Sequence, residues 1–149
     1  RDRLRSRGLG DVYKRQLQYS IVGDGYDAIL VSTTTLALWC TVTQYYLNNG
    51  VVVKTTRSTY RFNTSSELVS VETDDTDTLI LPSLTSYTVK NNFLGGHGIR
   101  RVVVPKRCSV HFGDRAFQDI PNLTKYISLS KDTTYGSDVF PETVTDRRF

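Results

Sequence analysis

Side chains that commonly carry out catalysis are few in this sequence. It has two histidines, His97 and His111, and two cysteines, Cys40 and Cys108. Neither histidine belongs to a set of nucleophile, base and orienting group that the spacing assembles. His97 lies in a glycine-rich turn, residues 94–98, which lacks the Lys-Ser/Thr ending of a phosphate loop. We therefore predict that the chain is not an enzyme and that it takes no cofactor.

Carboxylates are concentrated at residues 72–78 (ETDDTDT). Such oxygen ligands suit calcium, but the stretch lacks the glycine and the distal bidentate glutamate of a calcium loop. A solvated acidic loop is the expected structure, and no metal site is predicted. Two cysteines are too few for a disulfide framework, so each is expected to be a small buried hydrophobe, with a Cys40–Cys108 bridge as the alternative.

The excess positive charge is confined to residues 1–16. The formal net charge is +4, and these residues hold six basic and two acidic side chains, which leaves 13 of each sign in residues 17–149. Without that arm the chain has no broad field to attract a polyanion, so nucleic acid is not a predicted partner. The string GLGDVYKRQ at residues 8–16 resembles a translated sequencing-library adapter. Residues 1–16 are therefore predicted to be a non-native or disordered arm.

Two further features concern the chain as a whole. The most apolar run, residues 28–42, is interrupted by four polar residues at 32–35 and is too short to span a bilayer, so no membrane insertion is predicted. The sequence contains no methionine, which favours an internal or truncated piece of a longer protein.

A six-residue pattern recurs after 23 residues. Residues 112–117 (FGDRAF) and 135–140 (YGSDVF) share an aromatic residue, a glycine, two polar residues, a small apolar residue and a phenylalanine. A period near 24 lies within the range of leucine-rich repeats, whose units bury their apolar residues only by stacking on one another. We expect Phe93, Phe117 and Phe140 to stack as an internal ladder. The bend before each Phe should need positive φ, which Gly113 and Gly136 adopt cheaply.

An aliphatic residue and then a short β-prone run follow three of the phenylalanines. An aliphatic residue stands six positions after Phe62, Phe93 and Phe117, and each is followed by such a run. These three runs, at residues 69–71, 102–104 and 126–128, are predicted to be equivalent strands of a parallel sheet.

Residues 99–105 (IRRVVVP) and 112–124 (FGDRAFQDIPNLT) together resemble the BspA-type leucine-rich repeat, in which an L-x-x-I-x-I-P strand precedes an I-G-x-x-A-F turn. The resemblance covers about residues 80–140 and extends weakly back to Phe62. Leu129 stands where the family has the strand-end proline, and Ile120 where it has a cysteine. The resemblance implies a short solenoid of irregular repeats in an extracellular or cell-surface protein that binds host or matrix proteins or other cells.

Residues before the repeats have a different pattern. Thr35–Thr43 alternates as a half-buried strand does, and Asn48-Asn49-Gly50 is a strong hairpin-turn signal between residues 44–47 and 51–56. Residues 17–60 are therefore predicted to be a β-hairpin-rich region or cap, and residues 61–149 a leucine-rich-repeat solenoid fragment. The predicted fold class is mainly β. The apolar face of the predicted Thr35–Thr43 strand would carry Leu36, Leu38, Cys40 and Val42.

The outward positions of the solenoid sheet are the predicted binding site. If Val102 and Val104 point inward, Arg101 and Val103 point outward, and Lys125 and Ile127 occupy the same places one repeat later. A basic row beside an apolar row would suit a protein or cell-surface glycan. The predicted function is therefore a surface or secreted adhesion-type module. The alternatives are a structural or receptor-contacting phage virion protein and an accessory domain of a larger surface enzyme.

Overall fold

The computed structural model describes residues 18–19 and 25–149. These residues form twelve strands and no helix. Consequently the described part of the chain contains no helix long and apolar enough to cross a membrane. The strands are β1 (Gln18–Tyr19), β2 (Ala28–Leu36), β3 (Trp39–Asn48), β4 (Val51–Phe62), β5 (Glu67–Thr73), β6 (Thr78–Ile80), β7 (Ser86–Leu94), β8 (Arg101–Val104), β9 (Ser109–Phe112), β10 (Lys125–Ser128), β11 (Thr133–Tyr135) and β12 (Asp146–Arg148).

From β5 onwards the chain forms a β-solenoid of about four turns. Each coil gives one strand to each of two sheets, so β5, β7, β9 and β11 are parallel neighbours in one sheet and β6, β8, β10 and β12 in the other. The sequence prediction of a parallel-strand solenoid preceded by an antiparallel hairpin region is confirmed. Short strands of this kind bury their apolar residues only because the neighbouring coils cover them.

The first sheet continues beyond the solenoid as an antiparallel meander, in the order β1-β2-β3-β4-β5. The predicted turn at Asn49-Gly50 joins β3 to β4, with φ of 51° and 77° at its two central residues, as a tight hairpin requires. β4 runs without interruption through residues 60 and 61, where the domain boundary was predicted. The meander and the solenoid therefore share one sheet.

The prediction of a single strand across residues 35–43 is wrong. A two-residue turn at Ala37-Leu38 ends β2 and starts β3, and Ala37 has a φ of 55°. Non-glycine residues rarely adopt this conformation, and neither Ala37 nor Leu38 is a typical turn residue. The sequence therefore does not indicate the turn. As a result, Leu36 and Leu38 are 79% and 42% exposed, whereas Cys40 and Val42 are buried as expected.

The interior of the solenoid contains the expected ladder of phenylalanines. The ring centroids of Phe93 and Phe117 lie 6.1 Å apart, and those of Phe117 and Phe140 lie 6.0 Å apart. Phe93 and Phe117 are fully buried, and Phe140 packs against the same core. The stacking predicted from the 23- and 24-residue intervals is therefore confirmed.

Gly113 and Gly136 do not have positive φ, so the prediction that a left-handed bend requires glycine at these positions is wrong. A Cβ on Gly113 would lie 3.1 Å from the Val89 oxygen, and one on Gly136 would lie 3.1 Å from the Phe112 oxygen. Each glycine is needed because the preceding coil approaches too closely for a side chain.

Residues 69–71 are not equivalent to residues 102–104 and 126–128. They lie in β5, which belongs to the other sheet, and the in-register partner of Val102 one coil earlier is Leu79 in β6. Phe62 correspondingly lies at the end of antiparallel β4, where its ring meets Tyr87 edge to face at 5.6 Å, outside the ladder. The repeats therefore begin with β5, after Phe62.

Candidate partner-binding surfaces

The predicted binding residues are adjacent across β8 and β10. Arg101 pairs with Lys125, and Val103 pairs with Ile127, in the register that the repeat period indicated. The four side chains are thus brought together on two neighbouring strands. Their charge and exposure differ from the expectation.

Each cation of the predicted basic row has a carboxylate beside it. The distance from Arg101 Nη2 to Asp77 Oδ2 is 3.3 Å, and that from Lys125 Nζ to Asp146 Oδ2 is 3.5 Å. A hydrogen bond from Arg148 holds the pKa of the Asp146 carboxyl below its ordinary value. The Arg101 side chain is only 12% exposed. The row is therefore balanced in charge, and sequence reasoning missed both aspartates because they come from other coils.

Val103 is 1% exposed, so its predicted outward exposure is wrong. Val102, Val103 and Val104 are all buried although successive side chains of a strand point to opposite faces, so both faces of β8 are shielded from solvent. Val103 is flanked in register by Ile80 and Ile127, which belong to or pack against the same core. A continuous apolar run is typical of a parallel strand covered on both faces, and this signal was present in the sequence.

The acidic stretch contributes a buried carboxylate to the junction between the meander and the solenoid. Asp75 is 4% exposed and accepts hydrogen bonds from the Thr56 hydroxyl at 2.9 Å, from Gln44 Nε2 at 3.2 Å and from the Tyr46 hydroxyl. It also accepts from the backbone N–H groups of Asp77 and Thr78. Burial, with the neighbouring Asp75, raises the pKa of Tyr46 far above its ordinary value. The expectation of a solvated loop is wrong at Asp75.

The same junction covers the free edge of β6. The Gln44 side-chain oxygen accepts a hydrogen bond from the Ile80 N–H at 3.1 Å, and the Tyr60 hydroxyl donates to the Ile80 oxygen at 2.8 Å. These side chains satisfy backbone groups that a further coil would otherwise pair. The meander therefore acts as the cap at this end of the solenoid.

Three large apolar side chains are exposed within four residues at the β2–β3 turn. Leu36, Leu38 and Trp39 are 79%, 42% and 47% exposed. Trp39, the single tryptophan of the chain, stands in register between Leu36 on β2 and Arg61 on β4, so these three side chains share one sheet face. The group formed by Leu36, Leu38, Trp39 and Arg61 is called the apolar tip below.

An open cavity of about 320 Å³ lies at the other end of the solenoid, on the fourth coil. Three aromatic side chains line it, with Asp138 and Arg147 among the remaining residues. The Arg147 guanidinium lies 5.0 Å from the centre of the Phe140 ring. The aromatic residues of the lining are Tyr135, Phe140 and Phe149.

Neither the histidines nor the cysteines belong to these surfaces. His111 is exposed on β9, and its Nδ1 lies 2.8 Å from the Thr134 hydroxyl, while His97 is exposed in its turn. Cys40 and Cys108 are buried free thiols, as expected, and burial raises the pKa of both. No group of three or more potential metal ligands occurs within residues 18–19 and 25–149.

The fold defines the chain as a capped β-solenoid. No protein-family model matches the chain, and no curated protein or solved structure matches it either.

Proposed function

We propose that this protein is an adhesion-type interaction module, secreted or displayed at a cell surface, which binds a partner protein through the apolar tip. The observation that carries the proposal is the exposure of Trp39 beside Leu36 and Arg61 on one sheet face. Trp and Arg are enriched among the residues that dominate protein–protein binding energy. Large apolar side chains grouped on a surface are typical of an interaction site.

The type of fold supports the same proposal. Phenylalanines stacked at repeat intervals and short parallel strands are consistent with the BspA-type leucine-rich repeat that the sequence resembles. That resemblance implies an extracellular or cell-surface location and a macromolecular partner. Leu36, Trp39 and Arg61 of the apolar tip lie on paired strands of the meander, which limits the conformational entropy lost on binding.

The solenoid sheet is the weaker of the two surfaces for this function. Lys125 and Ile127 are half-buried there, Arg101 is ion-paired and Val103 is buried. Burying Arg101 and Lys125 further would require their ion pairs to be desolvated as well. We therefore assign the main contact to the apolar tip.

The proposal is tested with immobilised fibronectin, collagen and mucin as probes, with binding followed by biolayer interferometry. The double variant Leu36→Ser, Trp39→Ala should lose at least about tenfold in affinity for any probe that the unaltered chain binds. Val51→Ser is the matched control, because Val51 is 58% exposed at the opposite end of the meander. We expect this control to bind as the unaltered chain does.

A third variant separates the two surfaces. Arg101→Glu with Lys125→Glu should leave binding nearly unchanged if the apolar tip is the contact. Loss of binding in this variant alone, with circular dichroism showing that it remains folded, would assign the contact to the solenoid sheet. Failure of all three probes to bind would refute the proposed adhesion-type function.

A further inference from the structure

Within the described part of the chain, the outer edge of β2 is unpaired over most of its length. β3 pairs with β2 from Ala28 to Leu36, but β1 pairs only with Ile29 and Leu30 on the other side. Among the described residues, nothing pairs with residues 31–36 at this edge. An open strand edge is a template for another strand.

The hairpin geometry specifies which backbone groups face outward. A two-residue turn closes on a hydrogen-bonded pair, here Leu36 and Trp39, and such pairs alternate along antiparallel strands. Thr34 therefore bonds to β3, and the N–H and C=O groups of Thr33 and Thr35 point to the open edge. These two threonines offer four backbone hydrogen-bonding groups to an added strand.

As far as the structure describes the chain, the β2 edge differs from the other sheet edges in having neither charge nor cover. β12 is Asp146-Arg147-Arg148, β11 follows Lys131 and Asp132, and the edge of β6 is covered by Gln44 and Tyr60. Residues 28–43, in contrast, contain no charged side chain. Charges and cover are the usual protection against edge pairing, and β2 has neither within the described part of the chain.

A buried polar atom lies at the same edge. The Thr33 hydroxyl oxygen is shielded from solvent and has no hydrogen-bond partner in the part of the chain that the structure describes. A buried hydroxyl without a partner is destabilising, so its presence calls for an explanation. A strand added at β2 would bring a further side chain beside it on the same face.

We propose that a second copy of this chain pairs with β2, antiparallel, to form a continuous sheet across a two-fold axis. Pairing Thr34 with its counterpart leaves β1 in place and sets Thr33 opposite Thr35 of the second copy. The outward backbone groups of Thr33 and Thr35 then meet as a hydrogen-bonded pair. Their hydroxyls share one face, which gives the buried Thr33 hydroxyl a partner. Because neither strand carries charge, self-pairing meets no electrostatic repulsion.

Pairing over about five residues a side buries less surface than a standard protein–protein interface. We therefore expect a reversible dimer with a dissociation constant in roughly the micromolar range. Trp39 stays on the free face, so a dimer would present two apolar tips on one sheet.

The proposal is tested on the full chain by sedimentation velocity over a range of concentrations. We expect the unaltered chain to dimerise and Thr34→Lys to weaken the dimer at least about tenfold, because two lysines would meet at the axis. Thr55→Lys is the matched control: Thr55 is exposed on β4, and the added charge is the same. Circular dichroism establishes that both variants fold.

A cross-link tests the register without relying on a loss of binding. Thr34 would face its counterpart as a non-hydrogen-bonded pair, in which Cα atoms lie about 4.5 Å apart. Thr34→Cys should therefore form a covalent dimer on mild oxidation, and Thr55→Cys should not. A monomeric unaltered chain at about 100 µM, well above the expected micromolar range, or equal dimerisation of Thr34→Lys and Thr55→Lys, would overturn the proposal. A dimer that appears only after removal of residues 1–16 would instead assign the edge to the chain's own preceding residues.

Discussion

Phe93 and Phe117 meet edge to face, with their ring centroids 6.1 Å apart, although they belong to successive coils. Both rings are completely buried, and Phe117 also lies 5.2 Å from Phe112 and 6.0 Å from Phe140. Edge-to-face pairs add to the free energy gained by burying the rings themselves. Phe117 is therefore the central contact through which one coil stabilises the next.

Replacing Phe117 with alanine should lower the free energy of unfolding by about 3–5 kcal/mol, because the change leaves a cavity between coils. Urea denaturation measures this change. Leu94→Ala is the control, since Leu94 is an apolar residue that is 55% exposed, and its cost should stay below about 1 kcal/mol. Equal costs for the two variants would mean that the ladder does not stabilise the solenoid.

Asp75→Asn should destabilise the chain by about 2–3 kcal/mol. The aspartate accepts bonds from Gln44, Tyr46 and Thr56, and an amide leaves some of these buried donors unsatisfied. The effect should be accompanied by faster amide hydrogen exchange in β3 and β4, which these bonds attach to the first coil. Glu72→Gln removes a charge from an exposed residue nearby and should change stability by less than about 0.5 kcal/mol. A stability of Asp75→Asn equal to that of Glu72→Gln would contradict the structural role of the network.

Arg101 and Arg100 are neighbours that provide a matched test of the ion pairs at Asp77. The Arg101 side chain is 12% exposed and its Nη2 lies 3.3 Å from Asp77, whereas the Arg100 side chain is 65% exposed and lies 3.9 Å away. Arg101→Glu should cost about 1–3 kcal/mol because it sets two half-buried carboxylates together. Arg100→Glu should cost less than about 1 kcal/mol, as is usual for an exposed pair. Thermal unfolding at low and high salt compares them, and similar costs would show that Arg101 is solvated.

The free energy of unfolding should decrease above about pH 9. Burial raises the pKa of the Cys40 thiol from its ordinary 9.0 to about 12, so this group stays protonated in the folded chain and ionises in the unfolded one. The unfolded state then binds fewer protons, and stability falls as pH rises, by up to about 1.4 kcal/mol per pH unit for one group. Urea denaturation at pH 8, 9 and 10 measures the fall.

Cys40→Ala should show a shallower decrease between pH 9 and 10 than the unaltered chain. Burial also raises the pKa of Tyr60 and Tyr126, so both proteins should lose stability above pH 10. In the folded chain, a thiol reagent at pH 8 should react with Cys40 far more slowly than it does in denaturant. A fast reaction that is absent from Cys40→Ala would mean that Cys40 is accessible and would remove the basis of the pH prediction.

Much of the fold could be predicted because the relevant information is local or repeats along the chain. The ladder of Phe93, Phe117 and Phe140 follows from the period, since every coil must bury the same position against its neighbour. The turn at Asn49-Gly50 follows from residue types that tolerate positive φ. The register of Arg101 beside Lys125 follows from the same period.

Only the tertiary structure decided the contacts between segments that are not related by the repeat period. Asp75 is buried because Gln44, 31 residues earlier, reaches it across the junction with the cap, and Asp77 and Asp146 balance the predicted basic row from other coils. The turn at Ala37 exposes the apolar tip although no turn residue marks it. By itself, the sequence determined how coil stacks on coil, because stacking repeats one local pattern. How the cap meets the coils and which surfaces remain exposed depend on side chains that come together only in the folded chain.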